Sequence, residues 1–340
     1  MKINSVELAP KRRKNEMVAI DEEQNNDKRV QGPARREFLL GSAAAGAGVL
    51  FAGQATAGGN STITQGTVTL TDGTNLNYLE AGSGPPIVLI PGWSQTAAMF
   101  VDQLNGLSAR HRVIAVDMRG HGDSSKPPWG YRMARLAQDL HEFLGALNLE
   151  GVALGGHSLG SSVIWSYWDH FGTDRFTRMI VIDQAPTVVA WPGWSDDQKA
   201  VAGTVFTPQS LYDQATALAG PDGVKKTEDL VKNAFFTKSF PAEKLDWVVQ
   251  QNLKFPRKPA ATLLIDHCCQ DWRDVIVRIR VPTIVFSGQK SIFNPRSQQW
   301  IASQIPNAQV HIFDESEGGS HFMFMENPQK FNKILLDFLG

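Results

Sequence analysis

The most chemically informative segment of the sequence is a serine with glycine two positions away on each side. Residues 156–160 read Gly-His-Ser-Leu-Gly; they follow an apolar run ending near Leu154 and precede a stretch with helical periodicity. A serine at such a strand-to-helix turn is held in a strained conformation, and small flanking residues avoid clashes there. The turn exposes the hydroxyl beside the free N–H groups of the next helix. We therefore interpret Ser158 as a nucleophile.

A serine hydroxyl needs a base to remove its proton, and one histidine is well placed for that role. His321 lies in a Gly-rich segment, 317–322, between the last predicted strand and the last predicted helix. A loop at that point can carry an imidazole over the end of a sheet. The other seven of the eight histidines lie in other motifs or on predicted helices and strands, where packing roles are commoner. We pair His321 with Ser158.

Short apolar runs alternate with helical patterns on either side of these residues. The first two predicted strands form a hairpin around Asp72 and Gly73, and six more predicted strands follow along the chain. Alternation of strand and helix predicts a mostly parallel, eight-stranded α/β sheet covered by helices on both faces. The predicted strands are 68–70, 76–79, 87–90, 113–116, 152–154, 179–182, 283–286 and 310–313, and the helices between them are 98–107, 133–147, 159–171, 295–304 and 328–339.

One long interval interrupts the alternation. About a hundred residues separate Ile182 from the next core strand, and they contain helical patterns at 208–218, 226–236 and 243–253. An insertion of this length is typical of a lid over the strand ends. We predict a helical cap over 187–276, with the core formed by 58–186 and 277–340.

The first 57 residues have the composition of an export signal. Arg35 and Arg36 precede an uncharged stretch, 39–52, rich in Ala, Gly and Leu, and Ala-Thr-Ala follows at 55–57. This order is typical of a twin-arginine signal peptide. The apolar stretch is shorter than the ~20 residues that span a bilayer, which disfavours the alternative of a membrane anchor. We predict export to the periplasm or the medium.

Composition excludes several classes of function. The chain has 340 residues, 42% of them hydrophobic, and a formal charge of −1, so charge gives no preference for nucleic acid. Cys268 and Cys269 are adjacent and match no zinc spacing, and we predict that they form a buried packing pair. The sequence contains no nucleotide-binding glycine loop and no metal-ligand pattern, so we expect neither a cofactor nor a metal.

Taken together, these motifs resemble the α/β-hydrolase family over residues 64–340. The resemblance is carried by the 156–160 turn, by Leu-Ile-Pro-Gly-Trp at 89–93, by the Asp- and Gly-rich segment 117–124 and by the His321 loop. Within the family, the chain is most similar to the branch of non-haem haloperoxidases, small esterases and lactonases. The resemblance implies that the backbone N–H groups of Trp93 and Leu159 bind the oxyanion formed in the reaction.

The acid of the catalytic triad is where the sequence departs from the family pattern. Most members carry an Asp a few residues after the strand 283–286, whereas this chain has Ser291 there. Some members take the acid from the end of the preceding core strand, where this chain has Asp183. We predict a triad of Ser158, His321 and Asp183, and we expect Asp183→Asn to lower activity steeply while Ser291→Ala barely lowers it.

Two alternatives for the acid remain open at this point. Asp183 can serve only as a cap at the end of its strand, without a catalytic role. Asp314 and Glu315 are the weaker candidates for the acid, since both are expected to be exposed and close to His321 in sequence.

The predicted reaction is hydrolysis of a carboxylic ester or lactone through an acyl-enzyme. Trp191, Trp194 and Phe322 are candidates for binding a small apolar or aromatic substrate. The same fold leaves open a cofactor-free haloperoxidase acting as a perhydrolase, a cofactor-free dioxygenase and, outside enzymes, a small-molecule receptor with a capped pocket. We expect no nucleic-acid partner and no membrane span after processing; the sequence does not indicate an oligomeric state.

Overall fold

The computed structural model describes residues 62–340. The predicted signal peptide, residues 1–57, lies outside the described residues, so export through a twin-arginine signal stays a prediction. Within 62–340, no helix is both long enough and apolar enough to cross a membrane.

Eight strands form a single sheet with an antiparallel edge and a parallel centre. The spatial order is β1-β2-β4-β3-β5-β6-β7-β8; β2 pairs antiparallel with both β1 and β4, and all later pairs are parallel. All eight predicted strands are confirmed. Their bounds are β1 Thr64–Thr69, β2 Asn75–Ala81, β3 Pro86–Ile90, β4 Arg112–Val116, β5 Val152–His157, β6 Phe176–Ile182, β7 Thr283–Gly288 and β8 Gln309–Phe313.

Twelve α-helices accompany these strands within the described residues. The predicted helices 159–171, 295–304 and 328–339 have the observed bounds, and 98–107 begins as a single 3-10 turn, Ala97–Phe100. The helices are α1 Val101–Leu107, α2 Met133–Ala146, α3 Leu159–Phe171, α4 Asp196–Ala202, α5 Pro208–Ala219, α6 Gly223–Ala234, α7 Ala242–Leu253, α8 Arg257–Cys268, α9 Arg273–Ile276, α10 Pro295–Gln304, α11 Met323–Glu326 and α12 Pro328–Leu339.

Six helices, α4 to α9, lie between β6 and β7, and we call them the inserted helices. Three of them match the predicted patterns, whereas α4, α8 and α9 had no clear sequence pattern. The division of the chain into a core and a cap at residues 187 and 276 stays a prediction. The prediction of a buried cysteine pair is wrong for Cys269, which is exposed; only Cys268 is buried, because α8 turns one of the two neighbours outward.

The turn between β5 and α3 is possible only with glycine at two positions. A Cβ on Gly156 would lie 2.3 Å from the backbone carbon of Gly160, and a Cβ on Gly160 would lie 2.2 Å from the carbonyl oxygen of Ile90 on β3. Both clashes are with backbone, which cannot rotate away as a side chain can. The two glycines therefore let α3 start directly against the neighbouring strand.

We expect Gly156→Ala to lower the free energy of unfolding by about 2–3 kcal/mol, because the added methyl group forces β5 and α3 apart. Urea denaturation followed by circular dichroism measures this change. Gly145→Ala is the matched control: its Cβ would meet only the Arg175 guanidinium, at 3.9 Å, and a helical alanine is about 0.5–1 kcal/mol more stable than glycine. Equal unfolding midpoints for the two variants would contradict this account of the turn.

Candidate active site

Ser158 occupies the strained turn predicted from the sequence. It lies between the last residue of β5 and the first of α3. Its backbone has φ 51° and ψ −127°, a conformation that residues other than glycine rarely adopt. Its N–H donates to the carbonyl oxygen of Ile182 on β6, at 2.8 Å, and this bond fixes the turn against the sheet. The Ser158 side chain lines a cavity of about 220 Å³.

His321 lines the same cavity. It lies in the loop 314–322 between β8 and α11, which we call the His321 loop. Aromatic rings surround the imidazole: the ring centroids of Phe235, Phe322 and Phe293 lie 5.3, 5.3 and 5.5 Å from that of His321. Such packing leaves the ring little freedom to rotate, and only 1% of the residue is exposed.

Asp183 is in direct contact with His321. The Nδ1 atom of the imidazole lies 2.6 Å from Oδ2 of the carboxylate, and Asp183 is fully buried. Asp183 follows β6 directly, has φ 50° and donates its N–H to the carbonyl oxygen of Phe286 on β7, at 2.9 Å. The structure thus brings together the three residues predicted as a triad. Asp314 and Glu315 are exposed, and within the described residues neither forms a hydrogen bond or an ion pair with the His321 ring.

Burial acts on both members of this pair. It raises the pKa of the Asp183 carboxyl well above its usual value, while the hydrogen bond from Ser291 acts in the opposite direction. Burial also lowers the pKa of His321 from 6.5 to about 3. The ring is therefore unprotonated at neutral pH. Because Nδ1 faces the carboxylate, Nδ1 carries the ring proton and Nε2 keeps a free lone pair.

Within residues 62–340, Ser158 Oγ makes no hydrogen bond to the His321 ring. Contacts of this kind are often long before a substrate is bound, so geometry without a ligand does not exclude proton transfer. The two side chains share one cavity, as a nucleophile and its base must.

Ser291 has a role that the sequence did not reveal. Its hydroxyl donates to Asp183 Oδ2, the same oxygen that His321 contacts. The residue stands where most family members carry the acid, and here it supports an acid that comes from the neighbouring strand. The expectation that Ser291→Ala barely lowers activity took no account of this contact, and we revise it below.

A second loop lies beside Ser158, between β3 and the 3-10 turn. We call residues 91–96 the Gly92 loop. The N–H of Trp93 donates to no acceptor within the described residues, and Leu159 is the first residue of α3, whose N–H has no partner inside the helix. Both N–H groups that the family resemblance assigns to the oxyanion are thus free to bind a ligand.

Gln95 and His157 hold this loop in place, and no sequence pattern pointed to either residue. Gln95 Oε1 accepts from the N–H of Gly92, at 2.9 Å, and lies 2.8 Å from Nδ1 of His157. Nε2 of His157 lies 2.8 Å from the carbonyl oxygen of His321. One buried imidazole therefore contacts both the Gly92 loop and the His321 loop.

Three predicted substrate-binding residues do not line the cavity, and those predictions are wrong. Trp191 is 60% exposed on the surface. Trp194 lines a separate surface pocket and stacks on Arg273, with 4.8 Å between the guanidinium carbon and the ring centroid. Phe322 is fully buried behind His157 and His321. The apolar lining comes instead from other aromatic and aliphatic residues, including Phe206, Leu230, Phe235, Ile292 and Phe293.

Within residues 62–340, no three His, Cys, Asp or Glu side chains are grouped closely enough to hold a metal ion.

Comparison with known proteins agrees with the observed fold. A protein-family profile described as "alpha/beta hydrolase fold" matches residues 85–328. Non-heme chloroperoxidase CPO-A1 from Kitasatospora aureofaciens is 29% identical over 292 residues, covering 80% of this chain and 98% of the relative. Among solved structures, the esterase EaEST from Exiguobacterium antarcticum has a TM-score of 0.73 and 25% identity, covering 80% of this chain and 98% of its own. The enol-lactonase from Burkholderia xenovorans LB400 has a TM-score of 0.69 and 22% identity, covering 81% and 99%.

We expect Ser291→Ala to lower kcat/KM for an ester by roughly tenfold and to move the acid limb of the pH profile to higher pH. The Ser291 hydrogen bond lowers the pKa of Asp183, so its loss raises that pKa, and the Asp183–His321 pair then takes up a proton at higher pH. Ser162→Ala is the matched control, because the buried Ser162 hydroxyl makes no hydrogen bond within the described residues and does not act on the pKa of Asp183. Superimposable profiles for wild type and Ser291→Ala would rule out a role for this hydroxyl.

Proposed function

The chain belongs to the α/β-hydrolase family and is a hydrolase enzyme, and on that premise we propose that it cleaves a carboxylic ester or lactone through an acyl-enzyme on Ser158. The observation that carries this proposal is the buried contact between His321 Nδ1 and Asp183 Oδ2, at 2.6 Å, beside a cavity that Ser158 and His321 both line. A buried carboxylate that orients an imidazole toward a strained serine is the arrangement that acyl transfer requires.

In the first step, His321 Nε2 takes the proton of the Ser158 hydroxyl while Oγ attacks the acyl carbonyl. The carbonyl oxygen becomes an oxyanion, which the N–H groups of Trp93 and Leu159 stabilise; one such donor contributes about 3 kcal/mol in related sites. Asp183 stabilises the imidazolium that forms. His321 then returns the proton to the departing alkoxide, and the acyl group stays on Ser158.

In the second step, a water molecule attacks the acyl-enzyme and gives its proton to His321. The oxyanion forms again at the same two N–H groups, and its collapse releases the carboxylic acid and restores the Ser158 hydroxyl. For a lactone, the alcohol and the acid are parts of one product. The mostly apolar cavity of about 220 Å³ supports a small, uncharged acyl group.

Perhydrolysis is a second candidate, favoured by the similarity to a non-heme chloroperoxidase over 98% of that relative. Here a carboxylic acid forms the acyl-enzyme with loss of water, and hydrogen peroxide replaces water in the second step. The product is a peracid, which oxidises halide in solution without further help from the protein. The same triad serves both reactions, so the partition between water and peroxide decides between them.

We expect Ser158→Ala to lower turnover of 4-nitrophenyl butyrate by at least about a thousandfold and to abolish labelling by a fluorophosphonate probe, because the attacking oxygen is lost. Mass spectrometry of the labelled wild type should locate the probe on Ser158. Ser162→Ala is the matched control, since it removes a buried hydroxyl of α3 that has no hydrogen-bond partner within the described residues. Unchanged turnover in Ser158→Ala would refute the acyl-enzyme.

The perhydrolase alternative has its own test. In acetate buffer with hydrogen peroxide and bromide, peracid formation should brominate monochlorodimedone at a rate that rises with acetate concentration and vanishes in Ser158→Ala. If the enzyme hydrolyses the ester but does not brominate monochlorodimedone, its activity is hydrolysis alone.

A further inference from the structure

The cavity contains one buried polar side chain that the proposed reaction does not use. His267 on α8 is 4% exposed and lines the same cavity as Ser158 and His321. Its Nδ1 atom is buried without a hydrogen-bond partner. Its Nε2 atom is not fully buried and makes no hydrogen bond within residues 62–340, so Nε2 is the ring nitrogen that a molecule in the cavity can reach. Buried polar groups without partners are rare, because removing them from water costs free energy that a hydrogen bond normally offsets. The ring is thus available to a bound molecule.

Helix α8 holds this side chain at a fixed place relative to the reacting serine. Leu264, His267 and Cys268 all line the cavity, and their spacing of three and four residues puts them on one face of the helix. About two turns before His267 on the same helix, the carbonyl oxygen of Ala260 accepts from Trp93 Nε1, at 2.7 Å. Seven residues separate this contact from His267, which corresponds to about 10 Å along the helix axis. His267 therefore lies about two helical turns from the point where α8 contacts the Trp93 side chain.

The surroundings of His267 select the chemistry of its partner. Among the described residues, no Asp, Glu, Lys or Arg lines this cavity. Besides Ser158 and His321, the polar side chains that accompany His267 there are Gln95 and Gln214. Burial lowers the pKa of His267 to about 3, so the ring is neutral and offers one N–H donor and one lone pair. A hydroxyl group both donates and accepts, so it matches Nε2 in either tautomer of the ring. A carboxylate or ammonium group would have no charged partner in this cavity.

We propose that His267 is a substrate-binding residue that hydrogen-bonds an uncharged hydroxyl group on the substrate, away from the carbonyl that Ser158 attacks. The inference rests on the proposed function, which puts the acyl carbonyl at Ser158, and it narrows the substrate class to hydroxylated esters or lactones with an otherwise apolar body.

Phenol and toluene test the hydroxyl site without any turnover, because the two molecules differ by a hydroxyl in place of a methyl group. Cavities of about 150 Å³ bind benzene, so a single ring has room here. Calorimetry would measure the affinities of both probes for wild type, His267→Leu and Gln214→Leu. We expect the phenol-to-toluene affinity ratio to fall roughly fivefold or more in His267→Leu and to stay at the wild-type value in Gln214→Leu. Comparing ratios cancels the different hydration of the probes, and toluene binding with an unchanged circular dichroism spectrum reports an intact cavity.

Fluorophosphonate labelling of the same wild-type sample separates this inference from the proposed function. A lower ratio in His267→Leu together with no label on Ser158 supports the hydroxyl site and refutes the acyl-enzyme. Two results overturn the hydroxyl site whatever the labelling shows. One is a ratio that His267→Leu leaves unchanged, and the other is a wild-type protein that binds neither probe at millimolar concentration.

Discussion

The rest of the site depends on one buried contact, between the Asp183 carboxylate and the His321 ring. Both groups are buried, and an isolated buried charge is far more costly than one with a hydrogen-bond partner. The contact requires three neighbouring strands to end in register: β6 places Asp183, the segment after β7 places Ser291, and the His321 loop after β8 brings the imidazole. Because the sheet is parallel here, these three ends meet at the same edge. The parallel order of β6, β7 and β8 is therefore what allows chemistry at this edge.

His157 connects the His321 loop to the Gly92 loop. Its two ring nitrogens each lie 2.8 Å from an oxygen, one on the Gln95 side chain and one on the backbone of His321. The Gly92 loop and the His321 loop thus share a single rigid support directly beside Ser158. Burial lowers the pKa of His157 well below 6.5, so this support carries no charge that would oppose protonation of His321 during the reaction. The residue before the nucleophile is hence part of the framework that positions donor and base.

Much of the fold could be predicted because its patterns are local. Buried parallel strands are continuous apolar runs, the turn at 156–160 needs its glycines, and all eight strands and the bounds of α3, α10 and α12 follow from such patterns. Ser158, His321 and Asp183 could be predicted from their positions after strands. The places of Ser291, Gln95 and His267 around the cavity could not, because each depends on packing across the fold. The same limit explains the errors at Trp191, Trp194 and Phe322: aromatic character shows that a side chain is apolar, but the direction in which it points is set by helix packing.

Three hydrogen bonds attach the Gly92 loop to the inserted helices α7 and α8. Trp93 Nε1 donates to Ala260, Ser94 Oγ donates to the carbonyl oxygen of Asn252, and Arg257 donates to Ser94 Oγ, at 2.7, 3.0 and 2.7 Å. The inserted helices are thereby joined to the Gly92 loop, which carries the Trp93 N–H proposed to stabilise the oxyanion. Grafting an insertion from a relative would replace the walls of the pocket and would also remove the anchors of that backbone. An exchange of the inserted helices is therefore expected to change both substrate specificity and catalytic rate. A chimera with a relative should carry the Gly92 loop and the helices that hold it from the same parent.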